Sequence, residues 1–392
     1  MKLKPGWRHV KLSDIAKIKS GSTPLRAEGE RYFSTAGTPW VKTLDLNNGE
    51  IISTDEKITD TALLETSCSV FPVGTVLVAM YGGFNQIGRT GLLTIPAAIN
   101  QALSGLILDR DKAEPAYILN YLNGNVKLWK KFAASSRKDP NITRDDVCGF
   151  PVLLPPLAEQ KKIAEILSTW DKAISVTEKC LTNSKRQKKA LMQQLLTGKK
   201  RLLDENGVRF SGEWRNSTLS MFCNIAKGKA LSASDLEVGD FPVIAGGKSS
   251  PYSHSDYTHE NVVTVSASGA YAGYISYHNY KIWASDCSVV SAKADNLIDY
   301  FYQLLLSLQG KIYSLQSGGA QPHIYPKDLN SIPLWVPCVK EQQKIAAVLS
   351  AADVEISTLE KKLACLKDEK KALMQQLLTG KRRVKVDEAV AA

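Results

Sequence analysis

The sequence lacks the features of exported, membrane-spanning and disulfide-linked proteins. No run of about 18 apolar residues occurs, and no apolar signal segment follows Met1. The seven cysteines include no Cys-x-x-Cys spacing, so we expect reduced thiols rather than a disulfide or zinc framework. These absences predict a cytoplasmic protein that makes no contact with a membrane.

Common catalytic motifs are also missing. None of the 26 glycines forms a Gly-x-Gly, so the usual loop for a dinucleotide or a methyl donor is absent. No histidine lies in a cluster suited to a metal, and we expect this chain itself to bind no metal or cofactor. Asp146, Glu159 and Lys161 faintly resemble a nuclease set, but the second half of the chain has Gln343 where the lysine would be. Helix capping is the preferred interpretation of these acids, and a self-contained nuclease stays as an alternative.

What the sequence does contain is an excess of positive charge. Its 392 residues include 50 Lys and Arg against 39 Asp and Glu, a net charge of +11. This length predicts two or three domains. A basic chain of this size favours a polyanionic partner, usually nucleic acid, although a protein can be basic without one.

An internal duplication determines the organisation of the chain. Residues 159–202 and 341–384 align without gaps and are identical at 27 of 44 positions. A weaker match upstream pairs Trp7-Arg8 with Trp214-Arg215 at an offset of 207 instead of 182, so the second copy is 25 residues shorter between these anchors. The chain therefore reads body, tail, body, tail, with two similar tails and two divergent bodies.

Each tail has the apolar spacing of a long coiled-coil helix. The spacing between successive seam positions alternates between four and three residues over about 40 residues, or about 60 Å of helix. The predicted seam consists of Ile163, Leu167, Trp170, Ile174, Leu181, Leu191 and Leu195 in the first tail and Ile345, Leu349, Ile356, Leu359, Leu363, Leu366, Leu373 and Leu377 in the second. Two such stripes are most simply buried against each other in an antiparallel, pseudo-two-fold pair; the alternative is that each helix packs on its own body. Lys188 and Lys370 also fall on the seam and predict that the contact ends or shifts there.

The bodies have the short strands and frequent turns of mixed α/β domains. Helices are predicted near 115–133 and 297–315. Several loops combine basic, amide and small residues, which can contact phosphates or read base edges, although each single loop is better explained as an ordinary turn. The candidate DNA-binding residues are Thr23, Lys42, Arg89, Arg137, Lys138 and Asn141 in the first body and Lys227, Lys229, Lys248, Tyr271, Gln321 and His323 in the second.

The tails carry a resemblance to a known family. Glu159-Gln160-x-x-Ile163 and Leu195-Leu196-Thr197-Gly198-Lys199, with their copies at Glu341-Gln342-x-x-Ile345 and Leu377-Leu378-Thr379-Gly380-Lys381, resemble the specificity (S) subunit of type I restriction-modification enzymes. Pro39-Trp40-Val41 and Asn100-Gln101-Ala102 are similar to segments that recur in that family. The second body has Phe241-Pro242-Val243 instead of Pro-Trp-Val, which puts a shared role of this segment in doubt.

The resemblance implies an α+β fold. Two mixed α/β target recognition domains, 1–155 and 201–337, would be separated by spacer helices at 156–200 and 338–384 that form an antiparallel coiled coil, with a tail at 385–392. Each domain would read one half of a split, asymmetric site in double-stranded DNA.

The resemblance also implies partners. One non-catalytic copy would join two methyltransferase subunits and two restriction subunits, which would hold S-adenosylmethionine, ATP and Mg. A purely structural helical adaptor that never contacts DNA is the remaining alternative.

Overall fold

The computed structural model describes residues 4–83, 85–134, 141–247, 252–318 and 321–386. The chain divides into two units, one comprising Met1–Thr177 with Lys362–Ala392 and the other comprising Glu178–Lys361. Each unit contains one body, the first part of the long helix that follows it and the last part of the other long helix. The domain boundaries given above remain a prediction.

The first body consists of short strands with helices between them. Its described elements, 3₁₀ turns aside, are β1 (Arg8–Lys11), α1 (Leu12–Ile15), β2 (Ala16–Ser20), β3 (Phe33–Ser34), β4 (Thr38–Val41), β5 (Gly49–Ile51), β6 (Glu56–Ile58), α2 (Asp60–Glu65), β7 (Val76–Ala79), β8 (Thr90–Leu93), β9 (Ala98–Ile99), β10 (Leu103–Leu108), α3 (Pro115–Gly124), α4 (Val126–Ala134), α5 (Arg144–Gly149) and β11 (Pro151–Leu154). It is followed by the long helix α6 (Leu157–Leu195).

A five-stranded sheet in the order β2-β10-β7-β8-β5 forms the centre of this body. Strand β7 is an apolar Val-Leu-Val-Ala run that is completely buried, as expected of an inner strand covered on both faces. The edge strand β5 pairs in parallel with β8, whereas the other pairings in this sheet are antiparallel. A second sheet has the order β3-β6-β4-β9.

Helix α3 covers the central sheet. Pro115 at its first turn is compatible with a helix start because that position needs no backbone donor. The single helix predicted near 115–133 is wrong in detail, since the chain breaks at Asn125, whose backbone N–H caps α3. Trp129 of α4 stacks on Phe150 with ring centroids 3.9 Å apart. Both side chains belong to the hydrophobic core of this unit.

The second body repeats this plan with fewer strands. Its described elements, again without 3₁₀ turns, are β12 (Arg215–Thr218), α7 (Leu219–Phe222), β13 (Cys223–Lys227), β14 (Phe241–Ile244), β15 (Ser253–His254), β16 (Val262–Ser266), β17 (Ile275–His278), β18 (Trp283–Ala284), β19 (Cys287–Ala292), α8 (Ile298–Ser307), α9 (Gln309–Tyr313), α10 (Pro326–Asn330) and β20 (Pro333–Val336). It is followed by the long helix α11 (Val339–Leu377).

The central sheet of the second body has the order β13-β19-β16-β17. Its strands match β2, β10, β7 and β8 of the first body in order and pairing direction. The helix predicted near 297–315 is again two helices, because the chain turns at Leu308 between α8 and α9. The described residues therefore confirm two mixed α/β domains built on one plan.

The two long helices are 39 residues each and end at Leu195 and Leu377, the last residues of the predicted seam. Gly198 and Gly380 follow them with φ of 70° and 69°, the left-handed conformation that glycine adopts after a helix. Among the described helices, no segment combines the length and apolar character needed to cross a bilayer.

Candidate DNA interface and helix pair

Within each unit the two helices contact each other along the predicted seam. Ile163, Leu167 and Leu377 join the core of the first unit, and Leu195, Ile345 and Leu349 join that of the second. The remaining seam positions are partly buried: Trp170, Ile174, Leu181, Leu191, Ile356, Leu359, Leu363, Leu366 and Leu373. Both expectations for the helices thus hold in part, because their ends pack on a body and also on the other helix.

The two seam lysines strengthen the helix contact instead of ending it. Lys188 donates to Asp353 at 2.5 Å with only 11% of its side chain exposed. Lys370 donates to Asp171 at 2.5 Å with 17% exposed. The expectation that the contact ends or shifts at these positions is therefore wrong, because each lysine pairs with the equivalent carboxylate on the facing helix. The two pairs are the same pair in the repeat, with the donor and acceptor helices exchanged.

Ser184, in the same unit as Lys188, shows the direction of the helices. It donates to Glu355 at 2.8 Å, whereas Lys188, one turn later, contacts Asp353, which comes earlier in α11. Contacts that advance along one helix while receding along the other define an antiparallel pair.

A buried carboxylate at the start of each helix receives an arginine that follows the other helix. Glu341 is 1% exposed and accepts two bonds from Arg201, at 2.6 and 2.7 Å. In the other unit Arg383 pairs with Glu159, which also accepts from the indole N–H of Trp7 at 3.0 Å. The bond to Glu341 raises the pKa of Arg201. These bidentate or shared contacts join the beginning of one helix to the end of the other.

The glutamine beside each carboxylate joins the helix to its own body. Gln160 donates to the carbonyls of Lys112 and Pro155 and accepts from the backbone N–H of Glu114. Gln342 donates to the side-chain amide oxygen of Asn296 and to the carbonyl of Pro337, and it accepts from the backbone N–H of Leu297. The Glu-Gln motif is thus a structural junction in both copies, and its polar atoms are satisfied by protein groups.

In the first body, two predicted loops meet at one edge with the segment that follows β9. The loop carrying Thr23 bonds to the segment after β9, since Ser22 donates to Ile99 and Thr23 donates to Gln101. The segment after β9 bonds in turn to Val41, next to Lys42. Lys42 is paired with Glu56 at 3.1 Å.

Other candidates in this body lie on neighbouring turns. Arg89 is half-buried and donates from Nε to the carbonyl of Asn85 at 3.2 Å. Asn141 precedes Ile142, whose N–H bonds to Met80 at the end of β7. The candidates Arg137 and Lys138 lie outside the described residues.

In the second body the corresponding loops also converge. The loops carrying Tyr271 and His323 are joined by the backbone bridges of Ser268 and Ser317 to His323. Ser268 also donates to Asp286. Tyr271 is 44% exposed and Gln321 is exposed, so both can be reached by a ligand.

The basic candidates of this body surround the same edge. Lys227 and Lys229 are exposed at the end of β13, and the Lys229 ammonium lies 4.8 Å from the Trp283 ring centroid. The candidate Lys248 falls outside the described residues. Sequence reasoning missed Asp286 and Trp283, which contact the candidate loops but have no spacing that marks them. Gln101, which belongs to a family-like segment, was not singled out as a candidate although it contacts Thr23.

The missing Pro-Trp-Val of the second body is compensated from a neighbouring strand. In the first body the Trp40 indole donates to the carbonyl of Ser22 at 3.1 Å. In the second body the Trp283 indole donates to the carbonyl of Lys229, which aligns with Ser22, at 3.0 Å. Trp40 lies on β4, whereas Trp283 lies on β18, the strand corresponding to the parallel partner of β4. The contact is shared although the residue comes from the other strand.

The residues considered for a nuclease have structural roles. Asp146 accepts from the N–H of Thr143 in a capping box, which confirms the capping interpretation for this residue. Glu159 lies in the first turn of α6, as that interpretation requires, but its carboxylate bonds to Arg383 and to Trp7. Lys161 is exposed. In the described part of the chain no cluster of His, Cys, Asp and Glu is suited to a metal.

All seven cysteines are free. Burial raises the pKa of Cys223 and of Cys287 to about 12, so these two thiols stay protonated and unreactive at neutral pH.

Comparison with known proteins identifies the family. The profile of the type I restriction modification DNA specificity domain matches residues 4–183 and 211–367. The chain belongs to this specificity-subunit family. A putative type I restriction enzyme MjaX specificity subunit from Methanocaldococcus jannaschii is 27% identical over 80% of this chain and 79% of its own length. The EcoprrI specificity subunit from Escherichia coli is 23% identical over 87% of this chain and 86% of its own length.

Solved structures of specificity subunits share the fold. The S subunit of a type I restriction-modification system from M. genitalium superposes with a TM-score of 0.69 at 18% identity, covering 96% of this chain and 98% of that one. A chain from a study of complex assembly and conformational transition in the type I R-M system gives a TM-score of 0.53 at 18% identity, covering 97% and 99%. The α+β two-domain specificity-subunit fold expected from the sequence is confirmed.

Proposed function

We propose that this specificity subunit is the DNA-reading and scaffold component of a type I restriction-modification complex. Each body reads one half of a split, asymmetric target in double-stranded DNA. The observation that carries the proposal is the convergence of the candidate loops at the same sheet edge in both bodies, on matching backbone bonds. The bond from the Ile142 N–H to the Met80 carbonyl in one body corresponds to the bond from the Ile324 N–H to the Ala267 carbonyl in the other. A shared scaffold with unlike loop residues suits two readers of different base sequences.

In this proposal the helix pair sets the distance between the half-sites. Ion pairs such as Lys188 to Asp353 fix the register of the helices, and the Glu341 to Arg201 pair fixes where each helix meets a body. Two readers held at one spacing bind together only to a target whose spacer fits, which converts two modest affinities into one specific site.

The scaffold role includes partners that carry the chemistry. One copy of the chain joins two methyltransferase subunits and two restriction subunits in the cytoplasm, and S-adenosylmethionine, ATP and Mg bind to those subunits. The support from this chain is that Asp146 and Glu159, the acids considered for a nuclease, are committed to a cap and an ion pair.

Methylation by the assembled complex tests the reading function. Genomic mapping of modified adenines first gives the target, and duplexes are then made with one base pair added to or removed from the spacer. We expect methylation of the altered duplexes to fall by at least about 100-fold, because only one body can engage at a time. Unchanged methylation would contradict the fixed spacing.

A body exchange separates the two readers. Replacing 1–155 with the matching segment of a related specificity subunit should change one half of the target and leave the other half unaltered. A change in both halves would refute independent reading.

Two further measurements address the alternatives. A salt-dependent crosslink between the Lys229 loop and DNA excludes a purely structural adaptor, since phosphate contacts weaken steeply with salt. Cleavage of DNA by the purified chain with Mg²⁺, abolished by Glu159→Ala, would establish the nuclease instead; we expect no cleavage.

A further inference from the structure

The central sheets of the two bodies end differently. In the first body β5 pairs in parallel with β8, with Glu50 opposite Leu92 and Ile51 opposite Leu93. In the second body β17 corresponds to β8, and among the described residues no strand pairs with its outer side. The connection that supplies β5 is long, 34 residues from β4 to β7, whereas 17 residues join β14 to β16. The shorter connection of the second body contains no described strand that covers this edge.

Backbone bonds establish the correspondence between β8 and β17. Ala79 donates to Arg89 in the first body, and Ser266 donates to Tyr274 in the same position of the second. The Tyr274 carbonyl therefore faces β16, and alternation along the strand directs the N–H and C=O groups of Ile275 and Tyr277 to the open side. Thr90 of the first body corresponds to Ile275. Its outward carbonyl accepts from the backbone N–H of Asn48, which directly precedes β5.

The side chains that accompany β5 are also missing from the second body. Ile51 and Leu46 are 2% and 3% exposed and lie over Gly91, where a Cβ atom would approach the Ile51 Cδ1 to 2.4 Å. Gly91 corresponds to Ser276, which lines an open pocket of about 440 Å³. Besides Ser276, the wall includes Ile244, Ala245, Tyr274, Tyr277 and Tyr302. The pocket thus occupies the place that aliphatic side chains fill in the first body.

The pocket wall is uncharged. Its described lining contains no Lys, Arg, Asp or Glu. Burial lowers the pKa of His278 to about 4, so its ring is neutral at physiological pH. Burial, the largest cause, and the nearby Asp353 raise the pKa of Tyr302 to about 12, so its hydroxyl stays protonated. The described wall therefore offers no counter-charge to a phosphate, and its polar groups are neutral hydroxyls, an imidazole and backbone.

We propose that the outer edge of β17 and this pocket bind an extended segment of a partner protein as a fifth strand. The segment runs parallel to β17, bonds to the backbone of Ile275 and Tyr277, and places an aliphatic side chain over Ser276. The occupant is a strand because a strand of this same chain occupies the equivalent edge of the first body, and addition of a strand to an unpaired sheet edge is a common mode of peptide recognition.

Amide hydrogen exchange of the full-length protein tests the proposal. The probe is a synthetic peptide with the sequence of residues 43–54, which contains Leu46 and Ile51 and represents the strand of the first body. At a peptide concentration about ten times the Kd, we expect exchange at the amides of Ile275 and Tyr277 to slow about tenfold. Ser276 and His278 already face β16 and should change little. A peptide with aspartate in place of Leu46 and of Ile51 is the matched control and should have no effect.

Two variants place the binding at this edge. Ser276→Leu fills the pocket from within, and Tyr277→Pro removes one outward N–H while leaving the bonds to β16 intact. Each should abolish the slowing. Slowing that persists in both variants, or no slowing with the peptide, overturns the proposal. Slowing by duplex DNA but not by the peptide also overturns it, since the pocket would then be part of the nucleic-acid interface.

Discussion

The long helices and the bodies have diverged to very different degrees. The tails keep 27 of 44 residues, and their ion pairs occur twice with donor and acceptor exchanged. The bodies keep few residues, yet they share strand order and the backbone bonds that hold their loops. Side chains are thus conserved between the copies where two helices must fit each other. Where backbone alone supports a loop, its residues have been free to change.

The largest expected effect comes from breaking the buried pair at one helix end. Arg201→Ala leaves Glu341, which is 1% exposed, without a counter-charge and should cost about 3–5 kcal/mol locally. The matching Arg383→Ala should cost less, about 1–3 kcal/mol, because Glu159 keeps its bond from Trp7 and Arg383 is 40% exposed. Hydrogen exchange at the first turns of α6 and α11 measures each effect, with Lys200→Ala as a surface control. Equal losses would show that the indole contributes nothing.

The repeat predicted the elements whose residues it preserves. The seam of Ile163 and Leu167, the helix ends and the paired bodies followed from apolar spacing and the duplication. Arg201 and Arg383 are also identical in the alignment, so the repeat carried a signal for this pair that motif reasoning passed over. The seam lysines were misread because a lysine on an apolar stripe has no visible partner until the facing helix is placed.

The candidate interface was less predictable because it depends on contacts between distant segments. Trp283 substitutes for Trp40 from a different strand, and no alignment of the two bodies pairs these residues. The break at Asn125 likewise reflects a backbone cap that helical propensity does not specify.

A second, smaller effect sharpens the comparison of the two sheet edges. Gly91→Ala introduces a Cβ atom 2.4 Å from Ile51 Cδ1 and 2.9 Å from Leu46 Cδ2, and overpacking of this kind costs about 1–3 kcal/mol. Ser276→Ala at the equivalent position should change stability by less than about 0.5 kcal/mol, since the pocket is open there. Urea-dependent hydrogen exchange in β8 and β17 measures both. Rescue of Gly91→Ala by Ile51→Val would tie the loss to this contact.

A third effect tests whether the seam lysines serve stability or register. Lys188→Leu alone should cost about 1 kcal/mol, because Asp353 is 39% exposed and keeps its bond from Gln303. The double variant Lys188→Leu with Asp353→Leu should cost less than the sum of the two single variants, since both singles lose the same pair, but it should not recover fully because Gln303, which is 1% exposed, loses its acceptor. Thermal unfolding of all four members of the cycle measures the coupling. A double variant as unstable as the sum of the singles would show that the pair does not interact.

The smallest expected effects concern DNA affinity and distinguish the two bodies by charge pairing. Lys229 lies over an aromatic ring, whereas Lys42 is paired with Glu56. Burial opposes ionisation of Glu56, but Arg26 and Lys42 together lower its pKa below the usual value, so the carboxylate is charged at neutral pH and offsets both cations.

Lys229→Ala should therefore weaken binding of the assembled complex and reduce the magnitude of its salt slope by about 1, whereas Lys42→Ala should have less effect. Glu56→Gln should strengthen binding by releasing Lys42 and Arg26 to phosphate. Binding titrations across salt concentrations decide between these outcomes. If Glu56→Gln weakens binding instead, the Glu56 carboxylate is needed to order the Lys42 loop, and an unpaired Lys42 does not strengthen DNA binding.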